Sequence, residues 1–300
     1  MSLWPELEAR HGIQITGIKK VRDVYRLKTL SHGYLCLKGY KVTEDEMRFI
    51  THVLQYLESA GFDKSPRVLP AEDQVCWHTW ESGHYTLTNW VIGRHPDMTS
   101  RSDFKKTVRT LAKFHRHAAA FPEGIAPESR IRYGRQTEQL AEYIQLLQSY
   151  KGMEHYIALC NIVMSDLRQP GIVRAIEQEQ AQRTFVHGDY NYPNLIINST
   201  GRLQMIDFEN TSLHLRMQDL SHVLHRNFPW QARSMLRWIE YYDSKRTISK
   251  EERLLLRLML LTPYPVVRSL RLNQPLNRLD PPLPSGRHFE RYIRDLDVLL

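Results

Sequence analysis

Apolar and polar residues alternate along Val21-Arg22-Asp23-Val24-Tyr25-Arg26-Leu27-Lys28 and again along Tyr34-Leu35-Cys36-Leu37-Lys38, with Ser31-His32-Gly33 as the turn between them. A period of two predicts strands within residues 12–40, and Lys38 falls on the polar phase of the second run. From Thr43 the period lengthens. Phe49, Ile50, Val53, Leu54 and Leu57 share one face of a helix that runs to Ala60-Gly61, opened by a Thr43/Glu46 capping box. Further strands are predicted at residues 67–70, 74–78 and 85–91, completing an antiparallel lobe of five or six strands.

Beyond Ser102 the pattern is mainly helical. Phe104, Val108, Leu111, Ala112 and Phe114 lie on one face, and helical periods recur at residues 136–150, 156–167 and 171–180. Helices are also predicted from Arg216, over 231–242 and over 250–261 with Ser249 as cap. Pro275, Pro281, Pro282 and Pro284 then predict an extended loop before a last helix over 287–299. No internal repeat or low-complexity tract interrupts this order.

One polar stretch stands apart. Residues 185–210, F-V-H-G-D-Y-N-Y-P-N-L-I-I-N-S-T-G-R-L-Q-M-I-D-F-E-N, place His187, Asp189, Asn191 and Asn194 on a loop before a hairpin whose turn is Asn198-Ser199-Thr200-Gly201. A hairpin brings its ends together, so Asn194 and Asp207 should lie side by side with Asp189 close by. Two carboxylates and an amide oxygen suit magnesium-assisted phosphoryl transfer. One carboxylate and the amide would hold Mg²⁺, while the other carboxylate orients the attacking hydroxyl and accepts its proton. The plain alternative is a polar loop that binds no metal.

H-G-D-x-x-x-x-N followed by a hydrophobic hairpin and I-D-F-E resembles the signature of the aminoglycoside phosphotransferase and choline kinase group, small-molecule relatives of the protein kinases. Within that group the whole-chain layout is most similar to the CotS-like spore coat proteins of endospore-forming bacteria. The resemblance implies an α+β, protein-kinase-like fold of two lobes, with a small antiparallel β lobe carrying one helix and a larger, mainly helical lobe. Residues 1–92 would be the nucleotide-binding lobe ending in a hinge, and residues 93–300 the catalytic and acceptor-binding lobe.

By the same resemblance Asp189 is the catalytic base, and Asn194 and Asp207 are the Mg²⁺ ligands. Lys38 matches the lysine that holds the α- and β-phosphates of ATP. Residues 89–94 match the hinge, where the backbone around Asn89 and Val91 would meet the adenine edge. Glu46 either pairs with Lys38 or serves only its capping box. Asp219 matches an aspartate that braces the catalytic loop from behind, its alternative being an acidic residue favoured by a helix N-terminus. His187 would hold the loop's shape. The chain departs from the kinase pattern in having no G-x-G-x-x-G before the Lys38 strand, only Gly17.

Composition narrows the setting. The 300 residues, 42% of them hydrophobic, suffice for a sizeable core, and three cysteines without C-x-x-C spacing argue against a disulfide framework or a zinc knuckle. His115, His117, His222 and His225 read as packing or surface residues rather than metal ligands. The longest apolar run, Leu254 to Leu261, contains Arg257 and is too short to span a bilayer. No signal peptide is evident, so a cytoplasmic protein is expected, which for a coat-type protein means the mother cell or the spore coat. The net charge of +8 favours acidic partners such as nucleotides, but no nucleic-acid-binding motif is present. No G-x-S-x-G supports a hydrolase. Partners would be a nucleotide, an unidentified hydroxyl-bearing acceptor and spore coat proteins. The alternative function is a catalytically silent kinase-fold coat or assembly protein.

Overall fold

The computed structural model describes residues 3–81, 83–272 and 283–299. Helix α1 (Leu3–His11) leads into β1 (Ile15–Val21), β2 (Val24–Thr29) and β3 (Tyr34–Tyr40). Helix α2 (Glu44–Ser59), β4 (His78–Trp80) and β5 (Gly83–Asn89) follow. The strands form one antiparallel five-stranded sheet in the order β1-β2-β3-β5-β4.

The alternation read along residues 21–28 belongs to two elements. A tight turn at Arg22-Asp23, with Arg22 at φ 55°, joins β1 to β2, so Val21 pairs with Val24. Neither 67–70 nor 74–78 becomes a regular strand. Val68 makes an isolated bridge to Thr88, and only His78 extends into β4. Pro66 precedes the first run and Pro70 ends it, and neither can donate to a ladder.

The strand period sorts the sheet's two faces. Leu27, Leu35, Leu37 and Leu87 form a small core with Leu7 of α1, while Trp4 packs edge-on against Tyr25. Cys36, Lys38, Thr86 and Thr88 carry the opposite phase and line a cleft. Helix α2 begins with the expected reciprocal Thr43/Glu46 capping box. Its buried face joins the main core, where Phe49 and Tyr56 meet Phe121 and Phe185 edge-to-face.

The second lobe is chiefly helical, with α3 (Arg101–His117), α4 (Gln136–Gln148), α5 (Glu154–Asp166) and α6 (Pro170–Ala181) preceding the polar stretch. That stretch supplies β6 (Phe185–Val186), the hairpin β7 (Leu195–Ile197) and β8 (Leu203–Met205), and β9 (Ser212–Leu213), which pairs with β6. Then come α7 (Met217–Asn227), α8 (Ala232–Asp243), α9 (Lys250–Leu261), α10 (Tyr264–Arg271) and α11 (Gly286–Leu296). Helix α9 has the expected Ser249 cap, completed as a capping box by Glu252. Pro275, Pro281 and Pro282 of the expected loop lie outside the described residues. No helix among the described residues is long and apolar enough to cross a membrane.

The segment just after β5 meets the hairpin at a close backbone contact. Arg94 N donates to Ile197 O at 3.0 Å and Ile197 N donates to Arg94 O at 2.7 Å. A Cβ at the neighbouring Gly93 would lie 2.2 Å from Ile197 O, so only glycine permits the approach. On the hairpin's other strand, Met205 N donates to Lys64 O at 2.7 Å.

Candidate active site

A cleft of about 380 Å³ lies between the sheet and the hairpin. Lys38 reaches into it from β3, the central strand of the sheet rather than an edge. Its ammonium lies 2.5 Å from Asp207 Oδ1 and 2.9 Å from Glu209 Oε2, and its position over the Tyr40 ring adds a cation–π contact. Burial alone would lower the Lys38 pKa, but Tyr40, Asp207 and Glu209 outweigh it and hold the pKa above the ordinary lysine value. Burial also pushes the Tyr40 phenol up to about 12, countered only partly by Lys38.

Glu46 does not join Lys38. Its carboxylate accepts from the Thr43 amide at 3.1 Å, the Ser129 hydroxyl at 3.0 Å and Arg130 Nε at 2.9 Å. The capping box turns the side chain back toward its own helix start. Arg130 then draws it to the segment after Asp207, since Arg130 Nη1 also donates to Glu209 O at 2.6 Å and Thr211 O at 3.2 Å. Of the two roles left open for Glu46 the structure shows the capping box, and Lys38 pairs with Asp207 and Glu209 while Glu46 pairs with Arg130.

Asp207 stands at φ 66° just beyond β8, and Ile206 N donates to Asn194 O at 2.9 Å, which brings the two ends of the hairpin together. Asn194 Nδ2 donates to Asp189 O at 3.0 Å and to Asp189 Oδ2 at 2.9 Å. Asn194 Oδ1 and Asp207 Oδ2 make no hydrogen bond among the described residues, and both side chains line the cleft. One carboxylate and one amide oxygen are hard donors that suit Mg²⁺, a cation that takes its remaining ligands from phosphates and water. Among the described residues no cluster of three or more His, Cys, Asp or Glu side chains could hold a metal alone.

The loop before the hairpin is held from behind. Asp219, at the start of α7, accepts the amides of His187 at 2.8 Å and Gly188 at 3.0 Å. His187 Nε2 donates to Ile206 O at 3.0 Å, which leaves Nδ1 to accept the Asp189 amide at 3.3 Å. Gly188 has φ 83°, and a Cβ there would lie 2.1 Å from Asn210 O. Tyr190 anchors the loop to α3 by donating to Thr107 O at 2.8 Å.

Asp219 is fully buried. Desolvation would raise its pKa, but His115 and the His187 amide outweigh that and lower it. His115 Nε2 lies 3.5 Å away, yet burial lowers the imidazole's own pKa more than Asp219 raises it, so the contact is not an ion pair at neutral pH. Burial likewise lowers His222 to about 3 and His225 to about 4. The first stacks on Tyr264 and the second approaches Met259 O at 3.1 Å.

At the expected hinge, Asn89 and Val91 line the cleft. The Asn89 amide and side chain both bond Arg67, whereas the Val91 amide makes no hydrogen bond among the described residues. The Arg22-Asp23 turn between β1 and β2 also lines the cleft.

Two neighbours were not evident in the sequence. Glu209 belongs to the I-D-F-E run, two residues beyond Asp207, so that spacing was its one available signal. Arg226, 37 residues beyond Asp189, places Nη1 2.9 Å from Asp189 Oδ1 and Nε 3.0 Å from the Tyr264 hydroxyl. No local pattern links it to the loop.

A profile described as the phosphotransferase enzyme family, APH, matches residues 18–254. The chain belongs to that family. Among solved structures, the family member superposes on an aminoglycoside phosphotransferase from Alicyclobacillus acidocaldarius with a TM-score of 0.68 and 16% identity, over 95% of this chain and 88% of that one. An amicoumacin kinase solved with AMP-PNP, Ca²⁺ and Ami matches with a TM-score of 0.66 and 12% identity, over 99% and 92%. A choline kinase from Streptococcus pneumoniae matches with a TM-score of 0.52 and 14% identity, over 99% and 98%. At these identities the structural matches establish the kinase-like fold of this phosphotransferase-family chain.

Proposed function

We propose that the protein transfers the γ-phosphoryl group of ATP, with Mg²⁺, to a hydroxyl of an acceptor. The observation that carries this is the convergence of Lys38, Asp207, Asn194 and Asp189 at the junction of sheet and hairpin, through Lys38–Asp207 at 2.5 Å and Asn194–Asp189 at 2.9 Å. Residues 1–92 would hold the nucleotide, and residues 93–300 would carry catalysis and the acceptor. Lys38 would hold the α- and β-phosphates, and the backbone at Asn89 and Val91 would meet the adenine. Asn194 and Asp207 would hold Mg²⁺, which when bound neutralises charge on the phosphates.

Asp189 would orient the acceptor hydroxyl and take its proton. The acceptor oxygen forms a bond to the γ-phosphorus, the bond from that phosphorus to the β-γ bridging oxygen breaks, and its electron pair leaves on ADP. Asp219 and His187 act through the backbone, fixing where Asp189 stands. By the layout's resemblance to CotS-like coat proteins, the acceptors would include a coat component and the protein would act in the mother-cell cytoplasm or the spore coat.

Thermal-shift titration with Mg-ATP, followed by turnover assays on hydroxyl-bearing metabolites and coat extracts, tests the proposal. Stabilisation by Mg-ATP and turnover lost in Asp189→Ala and Asp207→Ala support it. No shift at millimolar Mg-ATP would return the chain to the alternative of a kinase-fold coat scaffold.

A further inference from the structure

Beside the catalytic loop, on the side away from Lys38, lies an open groove of about 760 Å³ between the start of α3 and helices α7 and α8. Four cations line it, Arg101, Lys105, Arg226 and Arg237, and no carboxylate does so among the described residues. Arg101, Lys105 and Arg237 are exposed and take part in no ion pair among the described residues. Half-buried Phe228, Trp238 and Tyr241 provide an aromatic wall, with Phe104 packed behind it. Outside the groove α3 also carries Arg109, Lys113 and Arg116, of which Lys113 is paired with Asp63 at 2.7 Å.

Arg226 joins this groove to the reaction centre. Its Nη1 holds Asp189 and its Nε meets Tyr264, while Nη2 makes no hydrogen bond among the described residues and the side chain lines the groove. A guanidinium shared between base and groove is suited to an acceptor that presents a hydroxyl to Asp189 and an oxyanion to its neighbour. A polycationic acceptor meets the opposite. It would be repelled by four positive charges and find no carboxylate in the groove wall.

We infer that the acceptor is an anionic, hydroxyl-bearing carbohydrate, bound in this groove through a carboxylate or phosphate group, with a sugar face against the Trp238–Tyr241 wall. The inference rests on the phosphotransferase proposal and names its substrate class. Arg226 is a positioning residue in this scheme, because it acts on the reaction through Asp189.

The test is titration calorimetry of the full chain, loaded with a non-hydrolysable ATP analogue, against glucuronate, glucose 6-phosphate, glucose and kanamycin. Either acid should bind at least about tenfold more tightly than glucose, and weaken as salt is raised. The stronger of the two acids identifies the group that is read. Reversing both exposed charges in Arg101→Glu/Arg237→Glu should erase the preference, and Arg101→Lys/Arg237→Lys should retain it, with unfolding midpoints confirming that both are folded. Glucose or kanamycin binding as tightly as the acids, or neither acid binding at about 10 mM, overturns the inference. A wild-type chain that binds the analogue without anion preference sinks only this step, whereas failure to bind Mg-ATP at all sinks the phosphotransferase proposal as well.

Discussion

Lys38 on β3 and Asp207 at the end of the hairpin, 169 residues apart in sequence, meet at 2.5 Å across the floor of the cleft. Replacing Lys38 by Ala leaves Asp207 and Glu209 facing each other without their cation. Mg-ATP affinity should fall by about tenfold or more, as read by calorimetry. The Lys38 pKa is raised in the fold, so its contribution to stability is complete below the ordinary lysine value and is lost as pH rises through the higher folded value. Lys38→Ala should therefore flatten the alkaline limb of the stability–pH curve.

Asp189 is held by Arg226 on one oxygen and Asn194 on the other, so its replacement removes the proposed base and leaves the cleft's Lys38–Asp207 pair in place. Asp189→Ala should lower turnover by about 10²- to 10⁴-fold while Mg-ATP affinity changes little. Parallel loss of nucleotide binding would assign Asp189 to the cleft instead.

Asp219 is buried and accepts two successive amides, so Asp219→Ala should destabilise the fold by about 3 kcal/mol in denaturant titration. Its folded pKa lies below the usual aspartate value. The stabilisation is thus present above about pH 4 and is lost as pH falls through the folded pKa. Asp219→Asn should reduce the acid-side slope of stability against pH, and an unchanged slope would contradict the assignment.

Gly188→Ala places a methyl group 2.1 Å from Asn210 O at a left-handed φ. Strain and clash together should cost at least about 2 kcal/mol and displace the loop that carries Asp189. Turnover should drop even at temperatures where circular dichroism shows the chain folded.

Glu46 distinguishes the two pairings directly. Its partners are Thr43, Ser129 and Arg130, so Glu46→Ala should cost about 1 kcal/mol of stability through the lost cap while Mg-ATP affinity stays within a few-fold. A loss matching that of Lys38→Ala would instead support the alternative Lys38–Glu46 link.

Much of the architecture could be read from period and caps. The α9 boundaries followed from Ser249 and the apolar run, and the β7–β8 hairpin followed from Asn198-Ser199-Thr200-Gly201 between two short apolar segments. The Arg22-Asp23 turn was hidden because a two-residue connection does not interrupt alternation on either side. Helix α1 contains Pro5 within its first turn and little apolar patterning, and α10 follows α9 so closely that its own start was not separable. At the site, the order H-G-D, N, D placed three side chains correctly relative to the hairpin. Arg226, Arg130 and the choice of partner for Glu46 depend on how distant helices pack, which spacing along the chain does not encode.

The hairpin is fastened on both of its strands, to the segment just after β5 by the Arg94–Ile197 exchange on β7 and to the segment after α2 by Lys64 on β8. Three backbone hydrogen bonds thus tie the two strands that end near Asn194 and Asp207 to the chain on either side of the sheet strand β5. Under the proposed function the hairpin would be the fixed frame of the cleft, and the Arg22-Asp23 turn, which lines the cleft and joins only β1 to β2, would be its door.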